Sequence, residues 1–134
     1  MYAIDTNVLV RLLVEDDLAQ AEQAEHFIGA EQHLGNPVLI SLLVLLETEW
    51  MLRSRYEFPK TKIIEALAAL LDTEAFHLED ENAVARALHL WRQVTAGFAD
   101  CLIAERHLSL GAQATLTFDK QAAKRAGMRL LPAN

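Results

Sequence analysis
The chain alternates short apolar runs with longer stretches that carry apolar residues at helical spacing, and this alternation restricts the fold more than any other feature. Tyr2 to Ile4 reads as a short buried strand, followed by helices over Val8 to Glu15 and Asp17 to Ala30, the second capped by Asp16 or Asp17. Asn36-Pro37 makes a turn into a second strand, Val38 to Ile40, and Ser41 can cap a helix to about Tyr56 that Phe58-Pro59 stops. A helix from Thr61 carries Ile63, Ile64, Leu67, Leu70 and Leu71 on one face, before a weak strand over Ala75 to Leu78. Asp80 then caps a helix through Val94, Gly97 breaks the chain, and Phe98 to Leu110 is helical up to Gly111. Ala114 to Phe118 is the best-formed late strand, and a last helix, Lys120 to Ala126, ends at Gly127 before Arg129-Leu130-Leu131.

Strands alternating with helices imply right-handed crossovers and a parallel sheet covered on both faces. The expected class is α/β, with roughly five parallel strands in one domain over residues 1–134, a length that buries a core without disulfides or structural zinc. In such sheets ligands bind beyond the carboxyl ends of the strands. Cys101 is the one cysteine, which fits a reducing cytosol and suits a small core residue. No signal segment is expected, because Asp5, Asn7 and Arg11 interrupt the N-terminal apolar run. The longest apolar run, Ala66 to Leu71, is far short of a membrane span.

Against this frame some acids look misplaced. Asp5 sits between two apolar runs, so it either caps a helix or faces a cation. Asp119 follows the strand ATLTF and can also be a cap, while Asp100 lies in the first turn of its helix, where the dipole favours a carboxylate. In SLLVLLETEWMLRS, Glu49 has Arg53 at i+4 and reads as an exposed ion pair. Glu47 shares its face with Leu43, Val44, Trp50 and Met51, looks inward, and lacks a cationic partner.

Taken together, Asp5, Asp100 and Asp119 fall at element boundaries that a parallel sheet could bring to one edge, with Glu47 on the helix after the second strand. Converging carboxylates need protons or metal to relieve their repulsion. Oxygen ligands without Cys or His suit Mg2+ or Mn2+ rather than zinc. A hard cation of this kind can acidify water and neutralise phosphate charge, the chemistry of phosphodiester hydrolysis.

IDTNVLV, LLETEWMLRS, FADCLIA and TLTFD, in that order and spacing over nearly the whole chain, resemble the PIN-domain nucleases, in particular the VapC-type toxins of bacterial toxin-antitoxin pairs. The resemblance places the family's four acids on Asp5, Glu47, Asp100 and Asp119, as catalytic and metal-binding residues, and supporting hydroxyls on Thr6 and Thr117. It implies a cytoplasmic, Mg2+- or Mn2+-dependent endoribonuclease that is a homodimer and is inhibited by a small cognate antitoxin. Cys101, Arg106 and His107 depart from the small apolar residues common in relatives, and Gln121-Ala122-Ala123 lacks an aromatic often found after the last motif.

The net charge of −7 weighs against nucleic-acid binding by the chain as a whole, since phosphates need Lys and Arg. Basic residues do gather locally, with Arg53, Arg55, Lys60 and Lys62 at one helix junction and Lys120, Lys124, Arg125 and Arg129 near the C-terminus. Arg53, Arg55, Lys120 and Lys124 are the candidate RNA phosphate contacts, with solvated helix ends the simpler alternative. Trp50 and Trp91 lie on apolar faces and read as core residues rather than base-stacking platforms. Two other functions remain open. A phosphatase with a nucleophilic aspartate begins with a strand and Asp-x-Asp, but Asn7 occupies the second acidic position and cannot serve as the general acid. A catalytically silent binding module would keep the motifs without the chemistry.

Overall fold
In a computed structural model, residues 1–133 are described. They divide into two compact units, the first from Met1 to Glu79 and the second from Asp80 onward. The first contains α1 (Thr6–Val14), α2 (Leu18–His33), β1 (Val38–Ile40), α3 (Leu42–Ser54), α4 (Lys60–Asp72) and β2 (Phe76–Leu78). The second contains α5 (Glu81–Gln93), α6 (Phe98–Ser109), β3 (Leu116–Thr117), α7 (Lys120–Arg125) and β4 (Arg129–Leu130). Each expected helix is present, its ends displaced by no more than two residues except in α2, which runs three residues past the expected Ala30.

The strand over Val38–Ile40 has its expected bounds, the others are shorter than expected, and among the described residues the pairing forms two two-stranded parallel ladders rather than one sheet of roughly five strands. In the first unit β1 pairs with β2 from Val38–Phe76 to Ile40–Leu78. The N-terminal segment joins β1 through a single parallel bridge, Ala3 to Leu39, with Leu39 N donating to Tyr2 O at 2.8 Å and Ile4 N to Leu39 O at 3.2 Å. In the second unit only Leu116 and Thr117 of the longer expected strand pair with β4. Flanking residues add single bonds to the ladder ends, as when Arg129 N donates to Thr115 O and Glu79 N to Ile40 O, so apolar content alone overestimates strand length.

Capping residues set the helix starts. Asp17 accepts from Gln20 N, Ser41 from Val44 N and Asp80 from Ala83 N. Glu79 reaches back from the end of β2 and accepts from Leu42 N at 2.9 Å, which ties the start of α3 to the β1–β2 ladder. Gly111, at φ +95°, closes α6 in the left-handed conformation that a β-carbon disfavours.

In the first unit, Leu9, Ile40, Leu45, Leu52, Ile63 and Leu67 are fully buried. Each such side chain contributes about 1.5–3 kcal/mol relative to exposure. In the second, α5 packs on α6 through Val84, Ala87, Leu88, Phe98 and Leu102, and the Trp91 and Phe98 rings meet at 5.2 Å. Cys101 is completely buried there, in the core position expected for it.

Candidate active site
The parallel bridge between Ala3 and Leu39 gives two neighbouring strand segments the same direction, so both end at one edge and both run into a helix there. Asp5 begins α1. Its Oδ1 accepts from Val8 N at 3.0 Å, so the capping role is real, yet it occupies one carboxylate oxygen and leaves Oδ2 without a partner among the described residues. Packing of α1 against α3 brings this carboxylate to a cleft of about 280 Å³ lined by Asp5, Thr6, Asn7, Leu43, Val44 and Glu47. A larger cavity of about 450 Å³ between α1 and α2 shares Asp5 and Asn7 with it and includes Arg11, Gln20 and Phe27. Thr6, the expected supporting residue, is buried beneath the rim at 6% exposure.

The two glutamates of α3 exchange the environments expected for them. Glu49 is 3% exposed and Glu47 is exposed on the cleft. The segment LLVLLETEWML carries apolar residues on every side, so spacing alone does not say which side faces the core. Leu42, Leu45, Thr48, Glu49 and Leu52 are the buried set, and the stripe through Leu43, Glu47 and Trp50 is the outer one. Glu49 does pair with Arg53, as its spacing suggested, with Nε to Oε2 at 2.8 Å and Nη2 to Oε1 at 3.4 Å. That bonding and the adjacent negative charge raise the Arg53 pKa above its ordinary value. Glu47 has no hydrogen bond or ion pair with the described residues. Trp50, expected in the core, is 48% exposed, whereas Trp91 is buried as expected.

In the second unit, Asp100 lies half-buried in the first turn of α6, a helix with no side-chain cap of its own. Asp119 is exposed at the start of α7, where one oxygen accepts from Gln121 N at 2.8 Å and Ala122 N at 3.3 Å. Thr117 Oγ1 accepts from the Asp119 amide at 2.9 Å, so this hydroxyl fixes the backbone that presents the carboxylate. Arg106 and His107, which depart from the family pattern, have partners within the second unit. Arg106 Nη1 meets Asp80 Oδ2 at 2.9 Å, and His107 Nδ1 meets Thr115 Oγ1 at 2.7 Å. Lys120 and Lys124 are exposed on α7, and Arg53 and Arg55 at the end of α3.

Within each unit, no group of three or more His, Cys, Asp or Glu side chains among the described residues is placed to hold a metal ion. The donor chemistry of the cleft nevertheless suits a hard cation, because Asp5 and Glu47 offer exposed carboxylate oxygens and no competing lysine or arginine lines it. Sequence reasoning missed Asn7 and Leu43 as cleft-lining residues and the exposure of Trp50. Spacing puts Leu43, Glu47 and Trp50 on one stripe, at i, i+4 and i+7, but α3 is apolar on every side, so no sequence signal marks that stripe as the outer one.

Among the described residues no helix is long and apolar enough to cross a membrane. The chain is 23% identical over 121 residues to the VapC ribonuclease of Aquifex aeolicus (strain VF5), an alignment covering 90% of this chain and 89% of that protein. No solved structure gives a significant match. The PIN domain family matches over residues 2–128, which takes in both units and all four motif acids, and the chain belongs to that family.

Proposed function
We propose that the protein is a metal-dependent endoribonuclease, acting in the cytosol as the toxin of a toxin-antitoxin pair. The observation that carries this is the cleft where Asp5 and Glu47 face solvent together, Asp5 with one oxygen unpartnered and Glu47 with none engaged. A 23% identical relative that is a VapC ribonuclease supports the same activity. In this proposal Asp5, Glu47, Asp100 and Asp119 together hold Mg2+ or Mn2+. A divalent cation there supplies charge neutralisation at the phosphate and acidifies water. Glu47 orients the attacking water, and the ribose oxygen leaves in line. Thr6 and Thr117 brace the acids next to them, and Arg53, Arg55, Lys120 and Lys124 are candidate phosphate contacts. A small cognate antitoxin and a second copy of the chain complete the assembly.

The test compares purified wild type with Asp5→Asn on RNA in Mg2+ or Mn2+, with and without chelator, alongside growth of cells expressing each. RNA cleavage and growth arrest that require both metal and Asp5 are expected. Cleavage undiminished by chelation and by Asp5→Asn would overturn the assignment. A phospho-aspartate trapped at Asp5 would replace it with the phosphatase.

A further inference from the structure
The outer face of α3 carries Leu43, Glu47 and Trp50, and the backbone of Trp50 is one turn, about 4.5 Å of helix rise, beyond that of Glu47. Trp50 is 48% exposed. The Arg55 guanidinium sits 5.9 Å from its ring centroid. The alternation continues beyond it, with Tyr56 edge-on to Phe58 and Lys62 Nζ 3.9 Å from the Phe58 ring centroid. Between Trp50 and Lys62 the sequence holds four cations, Arg53, Arg55, Lys60 and Lys62, and one acid, Glu57, in a chain whose net charge is −7. Arg53 is paired with Glu49 and the Tyr56 hydroxyl donates to Asp16, so the cations of this surface are Arg55, Lys60 and Lys62.

Aromatic faces interleaved with cations are what a single-stranded nucleic acid needs, because bases stack on the rings while Lys and Arg meet phosphates. Aromatic residues and Arg are enriched at protein–protein interfaces as well, but Lys is depleted there, and Lys60 and Lys62 belong to this surface. We propose that Trp50 is the stacking platform for an unpaired base next to the phosphate held at the Asp5–Glu47 cleft, with Arg55 backing the indole and contacting the strand. This rests on the ribonuclease function proposed above and adds a residue that binds and selects its substrate. A base within a duplex is already stacked on its neighbours and cannot use the platform.

The second tryptophan, Trp91, is 4% exposed, so Trp50 is the indole a ligand can quench. The whole protein, in chelator, is titrated with a short oligoadenylate and with an RNA duplex while tryptophan emission and anisotropy of a labelled strand are followed. The oligoadenylate should quench emission and the duplex should not. Trp50→Phe should abolish the quench while retaining most of the binding. Trp50→Ala should weaken binding about 5- to 100-fold and, with metal restored, raise KM while changing kcat little.

Cleavage by wild type with unquenched emission, or a Trp50→Ala variant that binds and cleaves as wild type does, overturns the stacking role and leaves the nuclease function standing. Quenching without cleavage in metal does the reverse. Failure of wild type both to bind RNA and to cleave it in metal overturns both. A dimer in wild type that becomes a monomer in Trp50→Ala, seen by sedimentation, assigns this face to a second copy and overturns the proposal.

Discussion

Asp5 and Asp80 start from the same chemistry, since each is an aspartate at the end of an extended segment whose carboxylate caps the helix that follows. Their surroundings then separate them. Asp80 Oδ1 accepts from Ala83 N, and its Oδ2 accepts from Ser109 Oγ at 2.6 Å and Arg106 Nη1 at 2.9 Å. Its backbone takes the left-handed conformation, φ +50°, which Asp tolerates better than most residues. Asp5 accepts from Val8 N alone and lies on a cleft beside Glu47. A capping acid with both oxygens engaged holds structure together; one with an oxygen unengaged, beside a second such acid, is available for chemistry.

The most direct way to break this comparison is Asp5→Asn. Asn caps a helix about as well as Asp, so the unfolding free energy should change by no more than about 0.5 kcal/mol, while RNA cleavage should fall at least about 100-fold. Glu47→Gln should behave alike. A large stability loss with proportionate activity loss would mean that Asp5 is only a cap.

Asp80→Ala should show the opposite. Losing the cap and two side-chain partners should lower stability by about 1–3 kcal/mol, measured by urea unfolding, with cleavage per folded molecule unchanged. Activity falling well beyond the unfolded fraction would join Asp80 to the active site and end the contrast.

The glutamates of α3 sharpen it at one-residue resolution. Glu49→Gln removes a charge from a buried hydrogen-bonded pair with Arg53, whose own side chain is 56% exposed and can turn to water. The expected cost is therefore about 1 kcal/mol, with cleavage retained. Comparable losses of activity in Glu47→Gln and Glu49→Gln would show that the outer and inner faces of the helix are not functionally distinct.

How far the sequence reveals this molecule depends on how local the deciding physics is. The helices were legible because Asp17, Ser41, Asp80 and Gly111 are signals that act within a few residues. Strand extent was not, because whether Ala114 or Phe118 pairs depends on where β4 ends. The positions of Asp5, Asp100 and Asp119 at helix starts were legible from the same punctuation. Which way Glu47 points was not, because α3 is apolar on all sides and its orientation is decided by the elements packed on it, including the Glu79 bond to Leu42 N. The partners of Arg106 and His107 were equally out of reach, at sequence distances of 26 and 8 residues.

The smallest expected effect concerns pH. The Ser109 hydroxyl first, then Arg106 and the Ala83 amide, hold the Asp80 carboxyl below its ordinary pKa, against the opposing effect of burial. A group whose folded pKa is depressed binds fewer protons in the folded than in the unfolded chain through that window. Its contribution is therefore fully present above the ordinary carboxylate range, near pH 4, and is lost as pH falls through the folded value. Asn at this position keeps the cap and the left-handed backbone but does not titrate. Urea midpoints measured from pH 7 down to about pH 3 should thus fall more steeply for wild type than for Asp80→Asn, and Ser109→Ala should lie between them. Parallel curves for all three would mean that the Asp80 cluster does not couple protonation to folding, and the contrast with Asp5 would then rest on the cleft alone.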